Sequence, residues 1–174
     1  MKQLGIIMAF LVVLAAPLVA RAERIKASLI GFQEVPVVST VARGEFHATI
    51  SEDEQSIDYE LTYSGLQAPV TQSHIHVAQR SVNGSIVIWL CGTTTNPGPE
   101  GTQTCPESGT ITGTITAANV VAGAPPNPQQ LNAGDLAAVI AAIRARVAYA
   151  NVHTALSPGG EIRGQIRGSS FSDN

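Results

Sequence analysis

Hydrophobic and polar residues alternate along most of this chain with the two-residue period of a β-strand. The pattern is strictest over residues 57–63, where Ile57, Tyr59, Leu61 and Tyr63 are separated by polar residues. It predicts an antiparallel strand with one face in the core and the other in solvent. Comparable patterns predict further strands over residues 24–31, 44–50, 71–77, 110–116, 149–154 and 162–167, and an apolar run predicts another over residues 85–91.

The last two predicted strands are joined by a tight turn, Ser-Pro-Gly-Gly, at residues 157–160. Pro158 fixes a negative φ, and the two glycines accept the positive φ that such a turn needs. We therefore expect a half-buried hairpin that closes the domain. Residues 85–91 are almost continuously apolar, so this strand, with the only tryptophan, Trp89, is expected at the centre of the core.

One segment has the periodicity of a helix, and it follows Asp135, a residue type that caps helix N-termini. Apolar residues recur there at the positions of one helix face, namely Leu136, Val139, Ile140 and Ile143. A single helix among about eight strands argues against an alternating βαβ architecture. The sequence therefore predicts an all-β fold, an antiparallel Greek-key β-sandwich or flattened barrel with one short helix.

Residues 1–22 have the features of a secretory signal peptide. A lysine at position 2 precedes an apolar run, and the stretch ends Ala20-Arg-Ala22, a small-residue cleavage pattern. The run is shorter than the ~20 residues of a membrane span, and no later segment is long and apolar enough to be one. We expect cleavage before Glu23, no membrane span afterwards, and an extracytoplasmic location, either periplasmic or secreted.

The expected mature chain, residues 23–174, is acidic and contains both cysteines. Loss of Lys2 and Arg21 lowers the basic count from 10 to 8 against 13 acidic residues, and the resulting net charge of −5 argues against nucleic acid as a partner. Cys91 and Cys105 enclose a loop rich in Gly, Pro, Thr and Asn. In an exported chain this spacing predicts one structural disulfide, worth roughly 3 kcal/mol in the chain-entropy model.

Several segments resemble the CHRD (chordin) domain family, namely residues 31–36, 74–76, 90–92, 149–154 and 158–166. The last two, Tyr-Ala-Asn-Val-His-Thr and Pro-Gly-Gly-Glu-Ile-Arg-Gly-Gln-Ile, are the most specific. The resemblance covers nearly all of residues 24–168 and implies a single extracytoplasmic CHRD domain with an all-β fold. The family's bacterial members look like exported single-domain proteins, mostly without an assigned activity. The domain also occurs as repeats in chordin, an extracellular antagonist that binds growth factors.

Three of the four histidines are candidates for one metal site. His74 and His76 are two residues apart on a predicted strand, so their side chains share one face, with Cα atoms about 6.5 Å apart. His153 lies in the C-terminal hairpin, which we expect to pair near them. Three imidazoles with an open fourth position suit copper or zinc. The alternative is that each histidine is a polar residue at a sheet rim, hydrogen-bonded to backbone or to Asn151 and Thr154.

This histidine spacing, in a secreted sandwich with one disulfide, is similar to that of copper/zinc superoxide dismutases. A fourth copper histidine has no clear counterpart, since His47 lies on an early strand, and the zinc-site pattern of further histidines and an aspartate is missing. The resemblance implies a superoxide-dismutase-like or immunoglobulin-like layout. It favours a metal site without dismutase activity.

Glu34, Glu161 and Arg163 are candidates for a structural ion pair. If the first strand lies near the final hairpin, one carboxylate would hold Arg163 in a partly buried bidentate pair that fixes the register of the closing strands. The alternative is that these charges are exposed.

The sequence contains no Gly-x-Ser-x-Gly, Gly-x-Gly-x-x-Gly or Walker motif. It therefore favours a non-catalytic binding module of unassigned ligand, with an extracellular protein or an envelope component as its partner. The alternative function is a copper- or zinc-binding protein with a three-histidine site. A structural component of an envelope or extracellular matrix is a third interpretation.

Overall fold

A computed structural model describes residues 21–123 and 129–168 of the chain. The predicted signal peptide lies outside the described residues, apart from its last two positions. The first strand starts at Glu23, directly after the predicted cleavage point. Within the described ranges, no helix has the length and apolar character that crossing a bilayer requires.

The described part of the chain forms nine antiparallel strands in one nearly closed sheet. They are β1 (Glu23–Ile30), β2 (Arg43–Ile50), β3 (Ile57–Ser64), β4 (Val70–Val77), β5 (Ser85–Cys91), β6 (Gly109–Ile115), β7 (Ala148–Thr154), β8 (Ile162–Gln165) and β9 (Arg167–Gly168). The sheet order is β5-β4-β7-β8-β1-β2-β3-β6, and β9 pairs with β1. The predicted all-β antiparallel fold is confirmed, and a sandwich or barrel layout is compatible with it. One strand more than expected arises because the last predicted strand is interrupted at Ile166.

The alternating pattern places one face of β1, β2 and β3 in the core. In β2, for example, Phe46 and Ile50 are fully buried, whereas Glu45 and His47 are exposed. The strands β2 and β3 pair over their whole length, and Phe46 stacks on Tyr59 with ring centroids 6.2 Å apart. Burial of these apolar side chains supplies the main driving force for the fold.

The C-terminal hairpin differs from the prediction in two ways. Every residue of β7 and β8 is buried, so these strands are not half-exposed. The hairpin also lies in the middle of the sheet, because β7 pairs with β4 on one side and β8 pairs with β1 on the other. Loop residues that contact these strands, among them Ala78, Val82 and Pro158, contribute to the burial.

Strands β5 and β6 are the two ends of the sheet, and a disulfide-bonded loop connects them. The predicted disulfide between Cys91 and Cys105 is confirmed. Backbone bonds reinforce it, since the Gly92 amide donates to Gln103 and the Cys105 amide donates to Gly92 at 2.9 and 2.8 Å. Tyr59 also donates to the Leu90 carbonyl oxygen at 3.1 Å. The loop therefore holds the two edges near each other.

The single α-helix, α1 (Leu136–Arg144), starts where the sequence predicts. The carboxylate of Asp135 accepts a hydrogen bond from the backbone amide of Ala138 at 2.9 Å, which is the expected N-cap contact. The predicted apolar face is buried against the core: Leu136, Val139, Ile140 and Ile143.

Candidate metal centre

The outer face of β5, β4, β7 and β8 carries a continuous layer of aromatic and polar side chains. Alternation along β4 directs Ile75 into the core and leaves His74 and His76 on the opposite face. In the register of β4 with β7, His74 lies opposite Asn151 and His76 lies opposite Tyr149. The members of this outer layer are Trp89, His74, His76, Tyr149, Asn151, His153, Arg163 and Gln165.

Three loop segments, called the covering segments below, contact the outer layer through Glu34, Gly84 and Pro158, and they comprise residues 31–42, 78–84 and 155–160. His76 Nδ1 is 3.0 Å from the carbonyl oxygen of Gly84, and His153 Nδ1 is 2.9 Å from that of Pro158. Because a carbonyl oxygen only accepts, both rings carry a proton on Nδ1 and present the lone pair of Nε2. Backbone carbonyl partners of this kind orient histidine ligands in metal sites.

The structure brings His74, His76 and His153 together. One ring nitrogen from each lies within 4.8 Å of those from the other two. His74 Nδ1 and His153 Nε2 are 3.2 Å apart, which suits either a direct hydrogen bond or two ligands of one ion bound at ~2.0–2.1 Å. The three residues are 0%, 7% and 6% exposed, so their ring nitrogens have little access to water as a hydrogen-bond partner.

Four buried side-chain atoms of the described residues lack a hydrogen-bond partner, and they lie in or against the outer layer: Glu34 Oε1, His74 Nε2, His76 Nε2 and Asn151 Oδ1. An unsatisfied buried polar atom costs ~1–3 kcal/mol, so a group of them calls for an explanation. A transition-metal ion bound by the imidazoles would use nitrogen lone pairs that otherwise stay unpaired. The donor chemistry present therefore fits copper or zinc.

Burial keeps the histidines neutral. It lowers the pKa of His74 to about 2, with repulsion from the other two imidazoles adding to the effect. Burial likewise lowers the pKa of His76 to about 4 and lowers that of His153. All three rings are therefore neutral, and each has one nitrogen without a proton, as a metal ligand requires.

Glu34 extends from the first covering segment toward the outer layer, where its carboxyl group lies near the side chain of Asn151. Its carboxyl group packs on Gly160, where φ is +125° and an added Cβ would clash with Oε1. Burial raises the pKa of Glu34 to about 7, although the positive charge of Arg163 opposes this shift. The carboxyl group is therefore a weak source of negative charge near neutral pH.

Arg163 and Tyr149 form a stack with one of the histidines. The Tyr149 ring lies parallel to His76, with centroids 4.7 Å apart and an interplanar angle of 2°. The guanidinium carbon of Arg163 lies 3.4 Å from the Tyr149 ring centroid. Two groups cannot occupy the same ring face at these distances, so the tyrosine ring stands between the cation and the imidazole.

The predicted ion pair between Arg163 and Glu34 or Glu161 is not formed. Arg163 forms no ion pair within 4.0 Å of either carboxylate, in contrast to Arg144, which pairs with Glu23 and Glu54 at 2.8 and 2.7 Å. The alternative of exposed charges is also wrong, because all three side chains are buried. The reason is that a covering segment offers the guanidinium its acceptors, which are the Gln79 and Val82 carbonyl oxygens and Asn83 Oδ1 at 3.2, 2.9 and 3.3 Å.

Glu161 instead joins three parts of the chain. Its carboxylate accepts hydrogen bonds from the hydroxyls of Thr40 and Thr154, both at 2.8 Å, and from the Gln67 amide at 3.0 Å. Thr40 belongs to a covering segment, and Thr154 directly follows His153. Glu161 therefore positions one covering segment next to the histidine cluster.

Trp89 is not at the centre of the core, so that expectation is wrong. Its side chain lies in the outer layer, partly exposed, because an outward position on β5 places it beside His74. A surface cleft of about 780 Å³ borders this region, and His76 is the one member of the histidine cluster that lines it, together with Trp89 and the loop around Gly84. His76 is therefore the histidine of the cluster that lies next to this cleft.

Of the site residues, Asn151 was expected as a hydrogen-bond partner of the histidines. Tyr149 was given no role there, although it shares the two-residue period of His153. The carbonyl groups of Gly84 and Pro158 had no such signal, since any residue has a carbonyl oxygen.

A family model described as CHRD domain matches residues 25–166, which is most of the chain. No curated protein and no solved structure matches the chain significantly.

Proposed function

The chain belongs to the CHRD domain family, and from this premise we propose that it is an extracytoplasmic, non-catalytic binding module that holds one transition-metal ion, copper or zinc. The observation that carries the metal proposal is the buried cluster of His74, His76 and His153, with their ring nitrogens within 4.8 Å of one another. The disulfide between Cys91 and Cys105 supports the location, because such bonds persist in oxidising compartments.

The hydrogen bonds around the cluster support metal binding over a purely structural role. A purely structural role requires the surrounding protein to supply a hydrogen-bond partner for each ring nitrogen. His76 and His153 do have carbonyl partners on Nδ1, but His74 Nε2 and His76 Nε2 have none. Three imidazoles that are buried, neutral and partly unpaired are costly for a merely structural cluster.

The covering segments favour binding over catalysis. A catalytic metal keeps a position open for substrate. Here the histidines are at most 7% exposed, and a substrate would have to displace the segments that hold His76 and His153 by their Nδ1 atoms. This arrangement suits an ion that is held or transferred rather than one that turns over substrate.

A second candidate function, binding of an extracellular protein or an envelope component, is favoured by the exposed surface of the covering segments. The exposed large hydrophobic residues of the described chain all lie on these segments: Phe32, Val37, Val41, Val82 and Leu156. Exposed apolar groups concentrated in one region are typical of interaction sites. If this function is correct, a Phe32→Ser, Val41→Ser variant will lose retention by cell-envelope fractions, whereas His76→Ala will keep it.

Elemental analysis tests the metal proposal. The chain without residues 1–22, purified without chelator or a histidine tag, should contain about one equivalent of copper or zinc, or take it up on titration. A His74→Ala, His76→Ala variant should lose this ion, and exposed His47→Ala is the matched control that should keep it. Failure of the wild-type protein to bind either ion would refute the metal function and leave the protein-binding function as the explanation.

A further inference from the structure

The surroundings of the histidine cluster bear on which ion it holds, an inference that rests on the metal function proposed above. The ligand set is three neutral imidazoles, and the cluster includes no carboxylate or thiolate. Three neutral ligands supply no negative charge to balance the positive charge of a bound cation. The electrostatic balance must therefore come from groups around the cluster.

The buried charged groups nearby do not favour a doubly charged ion. Arg163 is 1% exposed and stands one aromatic ring away from His76, and arginine keeps its positive charge in proteins. The Glu34 carboxyl, whose pKa is raised to about 7, is partly neutral near pH 7. Glu161 accepts hydrogen bonds from Thr40, Gln67 and Thr154, which already disperse its charge.

The desolvation cost of burying an ion rises with the square of its charge, so a divalent ion needs more compensation than a monovalent one. We propose that this site selects the monovalent ion Cu(I) over Zn(II) and Cu(II), and that Arg163 strengthens the preference through the Tyr149 ring. Cu(I) is satisfied by three neutral nitrogen ligands and needs no anion from the protein.

Arg163 is suited to this role because its charge is fixed in place. The guanidinium donates to the carbonyl oxygens of Gln79 and Val82 and to the side chain of Asn83. These bonds join the guanidinium to the covering segment that also provides the Gly84 carbonyl for His76. The side chain cannot turn into solvent without breaking them. Arg163 thus acts as a positioning and charge-setting residue, and it is not itself a ligand.

Competition titrations test the proposal on the disulfide-bonded protein. Cu(I) affinity is measured anaerobically with ascorbate and bicinchoninate, and Zn(II) affinity with a colorimetric chelator at the same pH. We expect Cu(I) to bind at least about tenfold more tightly than Zn(II). Arg163→Met should lower the ratio of the Cu(I) affinity to the Zn(II) affinity by about tenfold. This is roughly the effect of one unit charge that acts across the Tyr149 ring with an effective dielectric constant of ~20. Arg163→Lys, which keeps the charge, should restore the ratio.

The outcomes are distinct. Zn(II) binding as tight as Cu(I) in the wild type would overturn the selectivity while leaving the metal function intact, and this comparison needs no variant. An unchanged ratio in a folded Arg163→Met protein would overturn the role of Arg163. If neither ion binds the wild type, the proposed metal function fails, and this inference fails with it.

Discussion

Trp89 contacts His74 edge to face, with ring centroids 4.2 Å apart and an interplanar angle of 82°. This contact joins the only tryptophan of the chain to a residue of the candidate metal site. Both rings lie on neighbouring strands, at positions that pair in the register of β4 with β5. The fluorescence of Trp89 is therefore a direct probe of the cluster.

We predict that copper quenches the fluorescence of Trp89 and that the quenching reaches its limit at about one equivalent. His153→Gln removes a ligand without touching the tryptophan, so its titration should lack this saturating phase. His47→Gln, on an exposed position of β2, should titrate like the wild type. Equal quenching in the His153→Gln and wild-type proteins would show that copper binds elsewhere.

The metal-free protein should lose stability on acidification below pH 6.5. The folded-state pKa values of His74 and His76 are about 2 and 4, below the ordinary 6.5, so the unfolded chain binds protons that the folded protein does not. Glu34 acts in the opposite direction, since its pKa of about 7 lies above the ordinary 4.5 and its contribution is lost as the pH rises. Between pH 4.5 and 6.5 the histidines outweigh it.

Each such group changes the free energy of unfolding by about 1.4 kcal/mol per pH unit. The net fall from pH 6.5 to 4.5 should therefore be at least about 1 kcal/mol per unit, because the unfolded histidines are only half protonated at pH 6.5, and it is measured by urea unfolding after removal of metal. His76→Gln should flatten this dependence, and Glu34→Gln should steepen it. The same slope in all three proteins would contradict the burial of these groups.

The regular part of the fold was predictable because its information is local. The two-residue period identified the strands β1 to β3, and the cap at Asp135 identified the start of α1. The burial of β7 and β8 was not predictable in this way. It depends on loops from distant parts of the chain that contact these strands, and their positions have no periodic signal.

The candidate site also has a part that the sequence predicted and a part that it did not. The spacing of His74 and His76 placed both on one face, and a specific motif drew attention to His153. The ion pair expected at Arg163 failed because charge alone does not select a partner. Backbone carbonyls of a covering segment and the Tyr149 ring, which no charge pattern reveals, surround the guanidinium instead.

Loss of the disulfide should destabilise the protein without removing the histidine cluster. Cys91 and Cys105 are 14 positions apart, and closing a loop of this size is worth roughly 3 kcal/mol in the chain-entropy model. We expect the Cys91→Ser, Cys105→Ser variant to lose about this amount in urea unfolding. Dithiothreitol should lower the stability of the wild type to a similar level and leave the variant unchanged. A response of the variant to dithiothreitol would mean that the reductant acts elsewhere.

Glu161 should be the most sensitive carboxylate to substitution among those that line the covering segments. It is fully buried and accepts hydrogen bonds from Thr40, Thr154 and the Gln67 amide. Glu161→Ala leaves these donors unpaired, so we expect a loss of about 3 kcal/mol or more in urea unfolding. Thr40→Val removes one of these donors, and with it the acceptor of the Ala42 amide, and should cost about 1–3 kcal/mol. Exposed Glu45→Ala is the control and should stay within about 0.5 kcal/mol of the wild type. If Glu161→Ala were as stable as this control, the carboxylate would not connect the covering segment to the strand that carries His153.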